Sequence, residues 1–219
     1  MTTATTTDGK GVAETLRNLY EPIRDDLARE ETILRSALSS NDPYISSLLD
    51  YASRFQGKRM RSAILFLSAR ACGEVRHDHI VSAAVVELVH LATLAHDDVL
   101  DEADKRRLGD SLNERWGNEA SVLFGDYLFA NAFTLCAELK SHDLTVLLAR
   151  TTKKMCAGEL SQTAMRFNLA ISEEEYVRMI ELKTASLFSA SCQIGAMSGG
   201  AARDRLAGFG LAVGTAFQI

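Results

Sequence analysis

The chain has 219 residues, 47% of them hydrophobic and 24% charged, an ordinary soluble composition able to bury one sizeable core. Its 24 basic against 29 acidic residues give a formal charge of -5, and the basic residues are scattered, which argues against nucleic acid as the main partner. A phosphorylated small molecule stays open. Cys72, Cys136, Cys156 and Cys192 are far apart, lack metal-ligand spacing and sit in apolar helical contexts, so they read as buried reduced thiols of a cytoplasmic protein.

Residues 1–7 are Thr-rich, without the apolar core or basic head of a secretion signal, and are expected to form a disordered tail. With only two prolines, Pro22 and Pro43, and apolar residues recurring at three- and four-residue spacing, the chain reads as nearly all helix without strand signals. Helices are predicted over 12–38, 43–55, 59–72, 77–102, 119–139, 143–167, 173–197 and from 203 to the end. Asn41-Asp42-Pro43 supplies an N-cap and a first-turn proline, Ser172 with Glu175 a capping box, and Gly57, Gly73, Gly117 and Gly199-Gly200 the stops. No repeat or low-complexity linker divides residues 1–219, so a single all-α bundle of long helices is expected.

Gly57-Lys58-Arg59-Met60-Arg61 enters an apolar helix from a glycine, placing Lys58 and Arg61 three apart on one side of its first turn. Helix-start amides with Lys and Arg make an anion site; a snorkelling basic helix end is the alternative. The next helix is apolar nearly all round, which places it at the centre of a bundle. His90, Thr93, Asp97 and Asp101 form a polar stripe on it, accounted for by a cavity. Asp97, Asp98 and Asp101 cluster near a helix C-terminus, where they repel one another and the macrodipole, so they need a cation. Magnesium suits them, since it takes oxygen ligands and completes its shell with water and substrate phosphates. The alternative is a helix end emerging into water, its acids answered by Lys105, Arg106 and Arg107.

Further along, Gly158-Glu159-Leu160-Ser161-Gln162 and Lys183-Thr184 interrupt two apolar helices and also read as an interior hydrogen-bond network. Residues 184–202 carry no charge for 19 positions, but their Ser, Gly, Gln and Thr fit a buried helix and no transmembrane segment is expected. Gly195 with Gly199 and Gly210 with Gly214 are spaced for close helix packing. His77 and His79 lie in a polar turn and receive no role.

Taken in order and spacing, Gly57 to Arg61, the aspartate motif and paired arginines of His90 to Arg107, Gly125-Asp126-Tyr127-Leu128, Gly158 to Gln162, Lys183-Thr184 and Phe217-Gln218 resemble the trans-isoprenyl diphosphate synthases, the polyprenyl synthetase family. The likeness runs from about Gly57 to the last residue. It implies an isoprenoid-synthase bundle around a deep apolar pocket, with magnesium-bound allylic diphosphate at its mouth. Metal and cations stabilise the departing diphosphate, the double bond of isopentenyl diphosphate attacks the allylic cation, and proton loss to the released diphosphate completes extension.

Carried over by the resemblance, Asp97 and Asp101 are metal ligands for Mg2+ and Asp98 supports them, with Lys183 completing the catalytic set. Gly57, Lys58, Arg61, His90 and Arg107 hold isopentenyl diphosphate; Arg106, Lys183, Thr184 and Gln218 face the allylic diphosphate; Gln162 lies near the metal. Ala92 and Thr93, the fifth and fourth residues before Asp97, are small, which in the family leaves the pocket open for a medium or long all-trans product. Phe129 and Phe133 are the candidates to cap it. The family also implies a homodimer.

The chain departs from the family in two places. It reads Leu108-Gly109-Asp110 where glycine usually follows the paired arginines directly, and it stops at Ile219, just before the second aspartate-rich motif. It is therefore expected to be incomplete at the C-terminus, with closing helices missing and activity lost or severely impaired. Rival readings are a noncatalytic regulatory subunit of a heteromeric prenyltransferase and a terpene cyclase, which has no need of Lys58, Arg61 and His90.

Overall fold

The computed structural model describes residues 15, 17–55, 57–106 and 109–219, so the expected tail over 1–7 and the start of a helix at 12 lie outside the described residues. A 3-10 turn at Glu21–Ile23, where Pro22 fixes φ and withholds a donor, leads into α1 (Arg24–Ala37). There follow α2 (Pro43–Ala52), α3 (Met60–Cys72), α4 (His77–Leu100), β1 (Lys105–Arg106), β2 (Gly109–Asp110) and α5 (Leu112–Trp116). The remainder is α6 (Asn118–Glu138), α7 (His142–Met165), α8 (Glu173–Ile180), a π-turn (Glu181–Ala185), α9 (Ser186–Gly195) and α10 (Ala202–Gln218).

The helix starts follow their local chemistry. The Asp42 carboxylate accepts from the amides of Tyr44 (2.8 Å) and Ile45 (3.0 Å), and Ser172 and Glu175 close the expected reciprocal box, with Ser172 N donating to Glu175 Oε2 at 2.9 Å. Four expectations are corrected. β1 and β2 pair antiparallel, Lys105 with Asp110 and Arg106 with Gly109, in strands too short to show an alternating pattern. α5 is too short to show a helical period, although Ser111 caps it by accepting from Glu114 N. The helix expected over 173–197 is broken by the π-turn. The aspartate helix ends at Leu100, leaving Asp101 as its C-cap and Glu102 in the left-handed region at φ 49°.

The core is built around α4. Ile80, Ala83, Ala84, Val86, Leu88, Val89 and Ala92 are buried on it, meeting Leu65 and Phe66 of α3, Phe124 and Leu128 of α6, and Leu187 and Ile194 of α9 within one apolar cluster. Each fully buried Leu, Ile or Phe contributes about 1.5–3 kcal/mol. Both α4 and α6 are long and apolar enough to cross a membrane, but 67% of the most apolar window of α4 is buried here, which marks it as the core helix. α9 approaches its neighbours closely at glycine: a Cβ on Gly195 would lie 2.2 Å from Leu65 O, and one on Gly210 2.6 Å from Phe188 O. The spaced glycine pairs therefore serve packing.

All four cysteines are free. Cys136 and Cys192 are buried, and burial pushes the Cys192 thiol up to about 11. Cys72 is half-buried and Cys156 exposed, so the expectation of buried thiols fails at Cys156, whose apolar sequence neighbours occupy other faces of α7.

Candidate active site

Asp97 sits in the last turn of α4 and meets Lys183, which the π-turn presents from across the bundle. Lys183 Nζ lies 3.7 Å from Asp97 Oδ2 and 2.5 Å from Glu159 Oε2 of α7, while Gln162 Nε2 donates to Glu159 Oε1 at 3.3 Å. Coulomb attraction scales inversely with distance, so Lys183 is held chiefly by Glu159. Gly158 makes the approach possible, since a Cβ there would fall 2.4 Å from the Lys183 amide nitrogen. A π-turn adds one residue to a helical turn and re-aims the side chains it carries.

Asp101 is answered separately. Arg166, the residue closing α7, donates to Leu100 O at 3.0 Å and lies 3.4 Å from Asp101 Oδ1, so a cation covers the C-terminal carbonyls of α4. Asp98 is buried, and its backbone oxygen accepts from Ala103 N at 3.0 Å. Lys105, which answers the aspartates only in the alternative reading of a solvated helix end, pairs with Asp110 across the β-hairpin at 3.0 Å. Arg107 and the Arg106 side chain lie outside what the structure describes. Thr184 Oγ1 donates to Gln218 Oε1 at 3.1 Å, bringing the end of α10 onto the π-turn.

The 57–61 segment differs from the expected first-turn pair. α3 begins only at Met60, with Arg59 as its N-cap in the left-handed region at φ 47°. Arg59 is held there by α1: its Nη1 donates to Glu30 Oε2 at 2.8 Å and to Leu27 O at 3.1 Å, and its other guanidinium nitrogen pairs with Glu31. Tyr20 OH donates to Lys58 O at 2.7 Å, and the Lys58 residue and Gly57 are exposed. Arg61 turns inward instead, its guanidinium carbon 4.7 Å from the centre of the Phe188 ring. Burial holds its pKa below the ordinary arginine value, opposed by Glu87, and its Nε is buried without a hydrogen-bond partner.

Along the stripe on α4, His90, Thr93 and Asp97 are half-buried, and the Thr93 hydroxyl donates back to His90 O at 2.8 Å. Ala92 is fully buried in the core, Phe129 packs against His96 with ring centres 5.9 Å apart, and Phe133 is exposed. Two cavities, of about 290 Å³ beside Thr151 and Gln193 and about 440 Å³ beside Tyr44 and Trp116, are lined by none of the residues assigned from the sequence.

Among the described residues no group of three or more His, Cys, Asp or Glu side chains forms a metal cage. Two carboxylates one turn apart, Asp97 half-buried and Asp101 exposed, fit a hard cation that takes one or two carboxylates and fills its remaining positions with water and phosphate oxygens. Glu159, Arg166 and Arg59 are site residues that the sequence reading left without a role. Glu159 stood inside a noted motif, but Arg166 carries no local signal, its partner being 65 positions away.

Residues 42–219 match the polyprenyl synthetase family model. The chain is 36% identical over 208 residues to heptaprenyl diphosphate synthase component 2 of Geobacillus stearothermophilus, covering 93% of this chain and 65% of the relative. It is 37% identical over 201 residues to nonaprenyl diphosphate synthase of Mycobacterium tuberculosis, covering 90% and 60% respectively. The crystal structure of a polyprenyl synthase from Caulobacter crescentus, complexed with calcium and isoprenyl diphosphate, superposes with a TM-score of 0.89 at 34% identity, over 93% of this chain and 63% of that one. The chain thus spans just under two thirds of the length of these relatives. The match across most of the chain, with the same all-helical architecture, makes it a member of the polyprenyl synthetase family.

Proposed function

We propose that the complete gene product carrying this chain condenses isopentenyl diphosphate with an allylic diphosphate to make a medium or long all-trans polyprenyl diphosphate, as a cytoplasmic homodimer. The observation that carries the reading is the convergence of Asp97, Lys183 and Glu159 from α4, the π-turn and α7, with Thr184 joined to Gln218 beside them. Asp97 and Asp101 would hold Mg2+, supported by Asp98, with Gln162 nearby. The metal supplies charge withdrawal from the departing diphosphate.

Lys183, Thr184, Gln218 and Arg106 bind the allylic diphosphate, Lys183 placing its charge where negative charge develops. Lys58, Arg61, His90, Arg107 and the open backbone at Gly57 bind isopentenyl diphosphate. The half-buried Arg61 supports this, because its buried Nε lacks a hydrogen-bond partner that an anion would supply. Apolar surroundings exclude water from the allylic cation, and the released diphosphate accepts the final proton. Relatives named heptaprenyl and nonaprenyl synthases, with small Ala92 and Thr93, support the long product.

The test is an assay of the complete gene product with isopentenyl diphosphate, Mg2+ and a set of allylic primers, with products sized chromatographically. Long all-trans diphosphates are expected; release of only a fifteen-carbon product in excess isopentenyl diphosphate overturns the length assignment. One relative is named as a component, which favours a second reading as a subunit working beside a partner. No activity from the complete product alone, restored by a co-purifying prenyltransferase, would favour it. Full product formation after Lys58→Ala and Arg61→Ala would point to a cyclase.

A further inference from the structure

The Gly125-Asp126 pair in α6 has no part in the chemistry above, yet α4 drives a side chain into it. His96, directly before Asp97, inserts its ring over Gly125, where a Cβ would lie 2.3 Å from Nε2. Nε2 lies 3.1 Å from Val122 O and 3.4 Å from Asp126 Oδ1, and the ring rests against Phe129. Val122 O can only accept, so Nε2 carries the proton and donates to it. Residues 122, 125, 126 and 129 are one stripe of α6, so the imidazole occupies a slot built from a single helix face.

We propose that His96, seated in the Gly125-Asp126 slot, is a positioning residue that fixes the rotation of the last turn of α4 and so aims Asp97 and Asp101 at the metal. Adjacent helical residues project about 100° apart, so pinning His96 against α6 sets the direction of Asp97 toward α7 and the π-turn. Metal sites need their ligands held to within about 0.5 Å, and seating His96 on α6 adds a side-chain anchor to a last turn whose backbone carbonyls are already bonded to Asp101, Glu102, Ala103 and Arg166. The slot explains why glycine stands at 125, and Asp126 supplies a second acceptor beside the carbonyl.

The inference rests on the proposed metal role of Asp97 and Asp101, and the test separates the two. Mn2+ alone is titrated into the complete gene product by electron paramagnetic resonance, the site being defined as the binding that Asp97→Asn abolishes, with melting temperatures recorded alongside. His96→Leu and Gly125→Ala are each expected to weaken that site about tenfold, the scale of lost outer-shell support. His96→Gln, whose amide nitrogen can reach Val122 O, should stay within about twofold of wild type, and adding Gly125→Ala to His96→Ala should cost nothing further. Unchanged Mn2+ affinity in His96→Leu, or His96→Gln as weak as His96→Leu, overturns the positioning role while leaving the metal site standing. A wild type with no Asp97-dependent Mn2+ site overturns both.

Discussion

Glu159 governs where Lys183 can be. With Nζ at 2.5 Å from Glu159 and 3.7 Å from Asp97, the lysine is tethered more closely to α7 than to α4. Glu159→Gln should lower kcat/KM for the allylic diphosphate about tenfold and leave KM for isopentenyl diphosphate within about twofold, in steady-state kinetics with each substrate varied in turn. A second residue-scale prediction concerns Glu30, wholly buried beneath Arg59. Burial, opposed by Arg59 and assisted by Glu87, raises its pKa from 4.5 to about 7. The folded state then binds a proton that the unfolded state has released, so stability falls as pH rises from about 4.5 to about 7. Glu30→Gln should flatten that slope in melting curves taken across the window. Asp97 and Lys183 were legible because each is a polar interruption of an apolar helix, and Asp101 because it stands where one ends. Arg59, Glu159 and Arg166 were not, because what defines them is a partner 28, 24 or 65 positions away.

At the scale of elements, the π-turn is what presents Lys183, and Gly158 is what lets it sit against α7. Gly158→Ala would put a methyl 2.4 Å from the Lys183 amide and 2.8 Å from its Cα, backbone atoms that cannot swing aside. The variant should lose about 1–3 kcal/mol in denaturant unfolding and a larger share of activity than Gly208→Ala, whose added Cβ meets open space. The helices themselves were readable from apolar spacing, and the glycine pairs rightly announced close packing of α9 and α10. The π-turn was hidden because one inserted residue barely disturbs a helical period. The end of α4 was hidden as well: an apolar run tells where a helix is buried, whereas Asp101 leaves it through a C-cap stabilised by Arg166 from the end of α7.

Across the whole molecule, a central apolar helix carries Asp97, Asp98 and Asp101 to the end of a bundle, where the π-turn brings Lys183 to Asp97 and the end of α7 brings Arg166 to Asp101. Central position and polar ending were both visible in the sequence of α4; that Lys183, Glu159 and Arg166 meet it at one end depends on helix packing that no local pattern encodes. The proposed role of Asp97 is to act on a substrate diphosphate through a divalent cation. Incorporation of labelled isopentenyl diphosphate into polyprenyl product by the complete gene product, wild type against Asp97→Asn, at saturating Mg2+ and allylic primer, measures it. Wild type should extend the primer, and Asp97→Asn should do so about 10²–10³-fold more slowly with its melting temperature retained, the loss expected when stabilisation of leaving-group charge is removed. Incorporation by Asp97→Asn within a few-fold of wild type, or none by wild type with any primer, would rule out that role.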